Sequence, residues 1–194
     1  ERPNMALRLW LLQFKLLSTL PDKTQAMQTL EQAINAFPKD EQLLYARAMH
    51  LEAHGDLEGM ESDLRRIIQN NPKNAIAINA LGYTLADKTD RLKEAFGLIQ
   101  IALSLQPENP AILDSMGWVQ YRLGNLDEAL LRLRQAMKVF PDHEVAAHLG
   151  EVLWKSGNID EARKTWAHGL KLNPGSNVIP AVIERLESEP MDAE

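Results

Sequence analysis

Histidine and acidic side chains one helical turn apart are the residues of this sequence whose types and spacing could do chemistry. His50 and His54 enclose Leu-Glu-Ala, but a zinc-protease helix needs glutamate directly after the first histidine, where this chain has Leu51. His148 and Glu151 form a second pair, which would leave a catalytic metal without its third ligand. Solvated side chains are the simpler interpretation, so the sequence predicts no metal site and no cofactor.

Other catalytic signatures are missing, and the composition argues against further classes of function. The sequence has no cysteine, no glycine-rich phosphate loop and no Gly-x-Ser-x-Gly elbow, so we expect a protein that is not an enzyme. A formal net charge of −6 opposes binding to nucleic acid. The lack of cysteine suits a bacterial cytoplasm and a periplasm equally. Because the sequence starts at Glu1 without methionine, we expect a processed or truncated piece.

Proline recurs at a nearly constant period. Successive members of the set are separated by 34, 35, 34 and 33 residues. The set comprises Pro38, Pro72, Pro107, Pro141 and Pro174. A period of this length is typical of stacked helical repeats, in which each unit depends on its neighbours to bury its apolar face.

Small residues recur with the same period, at positions where two helices can approach closely. They are Gly82, Gly117 and Gly150, then Ala95, Ala129 and Ala162, then Ala102, Ala136 and Gly169. Together with the prolines, this pattern resembles the tetratricopeptide repeat (TPR) family, most clearly in LDSMGWVQYRLGNLDEALLRLRQAMKVFP. The resemblance implies an all-α superhelical solenoid of antiparallel helix pairs that binds other proteins.

The repeat pattern predicts one array over residues 1–188, with an acidic tail at 189–194. Five repeats are expected at about 7–40, 41–74, 75–109, 110–142 and 143–175, with the first helix starting near residue 7. An apolar stripe formed by Val178, Val182, Ile183 and Leu186 predicts a capping helix at about 178–188.

Glycine followed by a polar residue marks the turn inside most repeats. The pairs are Gly55-Asp56, Gly124-Asn125 and Gly157-Asn158, in which glycine can end one helix with positive φ and the polar residue can cap the next. Asn109-Pro110 is a further helix start. In the third repeat DKTDR replaces this turn and is one residue longer, so we expect a bulged helix turn there.

A partner-binding groove is predicted along the first helix of each repeat, which lines the concave side of TPR arrays. Positions spaced by three or four residues share one face of that helix. The predicted groove residues are Tyr45, Met49, Asn79, Tyr83, Asp114, Trp118, Tyr121, His148, Glu151 and Trp154. Amphipathic rings concentrated along a groove are typical anchors of protein interfaces.

Two interpretations of these residues stay open. As partner contacts, Trp118 and Trp154 would be the main anchors, and their loss should leave folding intact. Alternatively, the rings pack between neighbouring helices, as Trp10 and Trp166 are expected to do at core positions. The acidic groove residues would attract a basic segment of a partner, or they are simply solvated.

A narrower resemblance rests on the strings LGYTLADKTDRLKEA, ILDSMGWVQYRLGN and AAHLGEVLWKSG. Over about residues 75–175 the sequence is similar to the carboxy-terminal repeats of long TPR outer-membrane lipoproteins of Gram-negative bacteria, the LbcA-like adaptors. The resemblance implies a periplasmic adaptor that binds a carboxy-terminal processing protease and brings it peptidoglycan hydrolases. It also implies a lipidated cysteine upstream of Glu1, so that membrane attachment would depend on an anchor outside this fragment.

The alternative within the binding proteins is a co-chaperone or assembly scaffold, cytoplasmic in the co-chaperone case, that holds a peptide segment in its concave groove. Gripping a carboxy-terminal carboxylate needs lysine, asparagine and arginine at matched groove positions. Only Arg8 and Lys15 in the first repeat resemble that set.

Overall fold

The structure, a computed structural model, describes residues 2–20 and 24–188. Within these ranges it consists of eleven α-helices without any β-strand, which confirms the predicted all-α class. The helices are α1 (Arg2–Leu17), α2 (Thr24–Ala36), α3 (Glu41–Ala53), α4 (Leu57–Asn70), α5 (Ala75–Lys88), α6 (Leu92–Leu105), α7 (Pro110–Arg122), α8 (Leu126–Val139), α9 (His143–Lys155), α10 (Ile159–Leu172) and α11 (Val178–Ser188). The first helix begins at Arg2, earlier than the predicted residue 7, and Pro3 in its first turn does not interrupt it.

Glycines end three of the first helices in the left-handed conformation, as predicted. Gly55, Gly124 and Gly157 have φ of 82°, 84° and 81°, which residues with a Cβ rarely adopt. The predicted side-chain caps at Asn125 and Asn158 are wrong, since neither side chain makes a capping hydrogen bond. Both amides donate instead to side chains that precede the turn.

Two other predicted caps are confirmed. The carboxylate of Asp56 accepts from the backbone N–H of Gly59 at 2.9 Å. Asn109 accepts from Ala111 N–H at 3.0 Å, and Pro110 occupies the first helical position, where no amide donor is needed.

The longer turn of the third repeat is taken up by regular helix. Helix α5 has 14 residues, whereas α3, α7 and α9 have 13 each. The hydroxyl of Thr89 then donates to the carbonyl of Leu85 at 2.6 Å and closes the helix end. The expected bulge is therefore wrong, because one more residue of α-helix accommodates the insertion.

The chain forms two compact units, residues 1–81 and 82–194. In the N-terminal unit α1 packs against α2, and α3 packs against α4 around the fully buried Leu43 and Leu64. Arg47 of α3 donates two hydrogen bonds of 2.7 Å to the buried carboxylate of Asp63 in α4. The predicted single array and its repeat boundaries stay predictions, and the predicted tail at 189–194 lies outside the described residues.

Helix α1 buries little of its apolar surface. The side chains of Met5, Leu9, Leu12 and Leu16 lie on one stripe and are each at least 60% exposed. Trp10, expected in the core, is only half-buried. By contrast Trp166 of α10 is 2% exposed, as predicted.

In the C-terminal unit, the small residues mark close helix crossings. A Cβ added to Gly117 of α7 would lie 2.5 Å from Cγ of Leu133 in α8. One added to Gly150 of α9 would overlap the indole of Trp166. The alanines at the matching positions of the second helices are fully buried. The proposed reason for the glycine-alanine period is therefore confirmed.

Helix α11 covers the end of the C-terminal unit over the range predicted for the capping helix. It packs mainly against α9 and also touches α10. Ile179 and Leu186 are buried, while Val178, Val182 and Ile183 are partly buried against the same cluster. Ile179 was missing from the predicted stripe, although its position one residue after Val178 places it in the same first turn.

Candidate functional site

The predicted groove residues lie on α3, α5, α7 and α9, and each compact unit holds a part of them. In the N-terminal unit Tyr45 and Met49 are half-buried, and burial raises the pKa of the Tyr45 hydroxyl. The side-chain oxygen of Asn79 is buried and has no hydrogen-bond partner among the described residues. Buried acceptors are usually satisfied, so this oxygen is an exception to the usual pattern.

In the C-terminal unit, His148 of α9 lies at the centre of a polar cluster. Its Nδ1 is 2.9 and 3.0 Å from the two carboxylate oxygens of Asp114 in α7. A carboxylate can only accept, so Nδ1 bears the proton. Nε2 lies 3.4 Å from the hydroxyl of Tyr83 in α5. The imidazole therefore connects three first helices.

Trp118 of α7 covers this imidazole. The two rings stack with centroids 4.4 Å apart at 26°, and the indole N–H donates to Oδ1 of Asp87 in α5 at 3.2 Å. Only 7% of Trp118 is exposed. The expectation that this ring lies outside the core is therefore wrong, because α5 and α9 enclose it, and little of its surface is open to a partner.

Glu151 of α9 forms a second bridge. It is 2% exposed, accepts from the hydroxyl of Tyr121 in α7 at 3.2 Å, and accepts from the guanidinium of Arg185 in α11 at 2.6 Å. Its oxygens, like those of Asp114, are engaged inside the protein. Neither carboxylate is simply solvated, and whether either attracts a basic partner segment stays a prediction.

Trp154 is separated from this cluster. Its ring lies 5.7 Å from that of Trp166, and the guanidinium of Arg163 lies 5.8 Å from its centroid. Both contacts are with α10. Trp118 and Trp154 were both predicted as main anchors for a partner, and the structure places their rings against different helices.

The environment of His148 favours its charged form. Burial lowers the pKa of the imidazole, but the carboxylate of Asp114, with further contributions from Glu151 and Asp87, outweighs this effect. The pKa of His148 therefore lies above its ordinary value, and the imidazolium is the form that the cluster stabilises.

Three residues of the network were not predicted from the sequence. Asp87 lies one turn after Tyr83 on α5, so the spacing of three or four residues could have identified it. Arg185 belongs to the capping helix, where no repeat position pointed to it. Arg122 donates to the carbonyls of Ala86 and Asp87 at 2.5 and 3.1 Å and so caps the end of α5 from α7.

The histidine pair of α3 makes contacts within its own helix, and His50 also meets the ring of Phe14 in α1. The rings of His50 and His54 lie 4.3 Å apart, and Nδ1 of His54 is 2.7 Å from the carbonyl oxygen of His50. Among residues 2–20 and 24–188, no three His, Cys, Asp or Glu side chains are grouped as a metal site would require. None of the helices in these ranges has the length and apolar content needed to cross a membrane.

The helix pairs, left-handed glycine turns and close glycine-alanine crossings define the class of the protein. A model of the tetratricopeptide repeat family matches residues 120–179. The TPR protein TTC0263 of Thermus thermophilus superposes with a TM-score of 0.75 at 22% identity, over 94% of this chain and 95% of that one. Pseudomonas aeruginosa PilF superposes with a TM-score of 0.73 at 16% identity, over 96% of this chain and 93% of that one. The chain is thus a TPR repeat protein, an all-α solenoid of antiparallel helix pairs with a carboxy-terminal capping helix.

A curated relative shares much more of the sequence. Over 151 residues the chain is 50% identical to TPR repeat-containing protein PA4667 of Pseudomonas aeruginosa. The match covers 78% of this chain and 26% of the relative, so the chain spans about a quarter of that protein's length. Proteins of the TPR class generally act as non-catalytic scaffolds that bind proteins or peptides.

Proposed function

We propose that this chain is a non-catalytic scaffold that binds a protein or peptide segment along α5, α7 and α9. The supporting observation is a row of side-chain hydrogen bonds that joins α5 to α7, α7 to α9 and α5 to α9. Tyr83, Asp87 and Tyr121 are half-buried members of this row, and their positions are fixed by His148, Trp118 and Glu151. Binding to such a preorganised surface costs little side-chain ordering.

The finer proposal concerns the partner and the location. The scaffold is a periplasmic adaptor that binds a carboxy-terminal processing protease and presents cell-wall hydrolases for proteolysis. It is attached to the outer membrane by a lipid anchor outside this fragment. The support is the likeness of the strings at 81–95, 112–125 and 146–157 to the LbcA-like adaptors.

Calorimetry with a catalytically inactive carboxy-terminal processing protease tests both levels of the proposal. The chain should bind the protease, and Tyr83→Ala should weaken binding at least about fivefold, as expected for an interface contact worth more than about 1 kcal/mol. The double variant Arg132→Ala and Arg134→Ala is the control on α8, where both side chains form ion pairs with glutamates. Circular dichroism of each variant verifies folding.

Two other outcomes would point elsewhere. If the protease does not bind, while a peptide binds with a free but not an amidated carboxy terminus, the co-chaperone alternative is correct. If the protease binds but only the α8 variant abolishes binding, the adaptor role stands and the assignment of the face is wrong. Fractionation of the full-length protein tests the outer-membrane location separately.

A further inference from the structure

Apart from His148 itself, the cluster holds three carboxylates and two cationic side chains. Three carboxylates surround the imidazole, from Asp87 on α5, Asp114 on α7 and Glu151 on its own helix α9. Asp87 and Glu151 each have a cationic neighbour of their own. Lys88 lies 2.8 Å from Asp87, and Arg185 of α11 lies 2.6 Å from Glu151. The tyrosine hydroxyls facing the cluster are those of Tyr83 and Tyr121. Among the described residues, His148 is the cationic partner seen for Asp114.

Both protonation states of His148 can keep the observed hydrogen bonds. The imidazolium donates from Nδ1 to Asp114 and from Nε2 to Tyr83, whereas the neutral ring donates from Nδ1 and accepts from the Tyr83 hydroxyl. The charge is what changes. A proton on the ring attracts the carboxylates and the π-face of Trp118, and its loss leaves Asp114 without a compensating cation.

We propose that His148 is a proton-dependent latch between α5, α7 and α9. As imidazolium it holds the three helices together, and on losing the proton it lets their packing loosen, because Asp114 is then left beside the other carboxylates without a counter-charge. The latch belongs to the fold itself and operates whether or not a partner is bound.

The direction of the pH effect follows from the same cluster. The pKa of His148 in the folded chain lies above the ordinary value of 6.5, so the folded state binds this proton more tightly than the unfolded chain. The stabilisation is then complete below pH 6.5, and it is lost as the pH rises through the folded pKa.

Thermal unfolding of the whole chain between pH 5.5 and 9 tests the latch. The melting temperature of the unmodified chain should fall by a few degrees as the pH rises above 6.5. In His148→Gln, which retains an amide donor for Asp114 but cannot titrate, this fall should disappear. His168→Gln is the matched control, since this exposed histidine of α10 should leave the pH dependence as in the unmodified chain.

A second measurement decides the question even if His148→Gln does not fold. Titration of the His148 ring protons by nuclear magnetic resonance in the unmodified chain gives its pKa directly. A value above 6.5, with matching shifts of the Tyr83 and Trp118 resonances, supports the latch. A value at or below 6.5 overturns it, as does a His148→Gln variant that keeps the same pH dependence as the unmodified chain.

Discussion

The indole of Trp118 stacks on the imidazole of His148, with ring centroids 4.4 Å apart. This contact joins α7 to α9, and the hydrogen bond from the same indole to Asp87 joins α7 to α5. One buried side chain of α7 thus contacts the first helices of both neighbouring pairs. Its position makes Trp118 a packing residue of the C-terminal unit.

Trp118→Ala should therefore destabilise the fold. Truncating a large buried aromatic ring typically costs about 3 to 5 kcal/mol of unfolding free energy. Chemical denaturation measures this loss directly. Trp118→Phe keeps an aromatic ring beside His148 but loses the bond to Asp87 and part of the ring volume, so it should cost less than the alanine variant. An unchanged denaturation midpoint in Trp118→Ala would restore the sequence-based expectation that the ring is dispensable for folding.

Replacing glycine by alanine should change the stability in opposite directions at two positions in neighbouring helices. At Gly117 the new Cβ would lie 2.5 Å from Cγ of Leu133, so the crossing of α7 and α8 must widen, at about 1 to 3 kcal/mol. At Gly97 of α6 a Cβ meets no atom within 4 Å, and alanine should stabilise the helix by up to about 1 kcal/mol. Melting temperatures of the two variants test this. Equal effects would show that the close crossing does not govern the small-residue pattern.

The ion pair between Glu151 and Arg185 should matter more than an exposed pair. Arg185→Ala removes a donor from a carboxylate that is 2% exposed, which should cost about 1 to 2 kcal/mol and loosen α11. The Arg134–Glu161 pair is the control, since both side chains are 50% exposed, and Arg134→Ala should cost about 0.5 kcal/mol or less. Hydrogen exchange of α11 amides reports the loosening. Equal protection of α11 in both variants would contradict the assigned role of Arg185.

Replacing Asn109 and Asn158 by alanine should have different effects on stability, although the sequence places both asparagines at helix starts. Asn109 accepts from the backbone of α7, so Asn109→Ala should cost about 1 kcal/mol. Asn158 makes no capping bond to α10, and Asn158→Ala should cost only a few tenths of that amount. Urea denaturation distinguishes the two. A loss at Asn158 as large as that at Asn109 would mean that its amide does cap α10 in solution.

The sequence alone determined the features that depend on local backbone geometry and on the repeat period. Gly55, Gly124 and Gly157 were predicted because positive φ is a property of the residue itself. The contacts of Gly117 and Gly150 were predicted because a missing side chain at a fixed period marks a close crossing. The range of α11 followed from an apolar stripe with helical spacing.

Only the tertiary structure decided which side chains meet. Spacing placed Trp118 and Trp154 on first helices, but the helices packed around each ring determine that one is enclosed and the other contacts α10. The Asn125 amide donates to Gln120 of the preceding helix, and capping propensity alone does not predict this competing partner. Arg185 reaches Glu151 from 34 residues away. Burial and hydrogen bonding are set by neighbours distant in the chain, and the period of a sequence states where repeats lie but not which side chains fill the space between them.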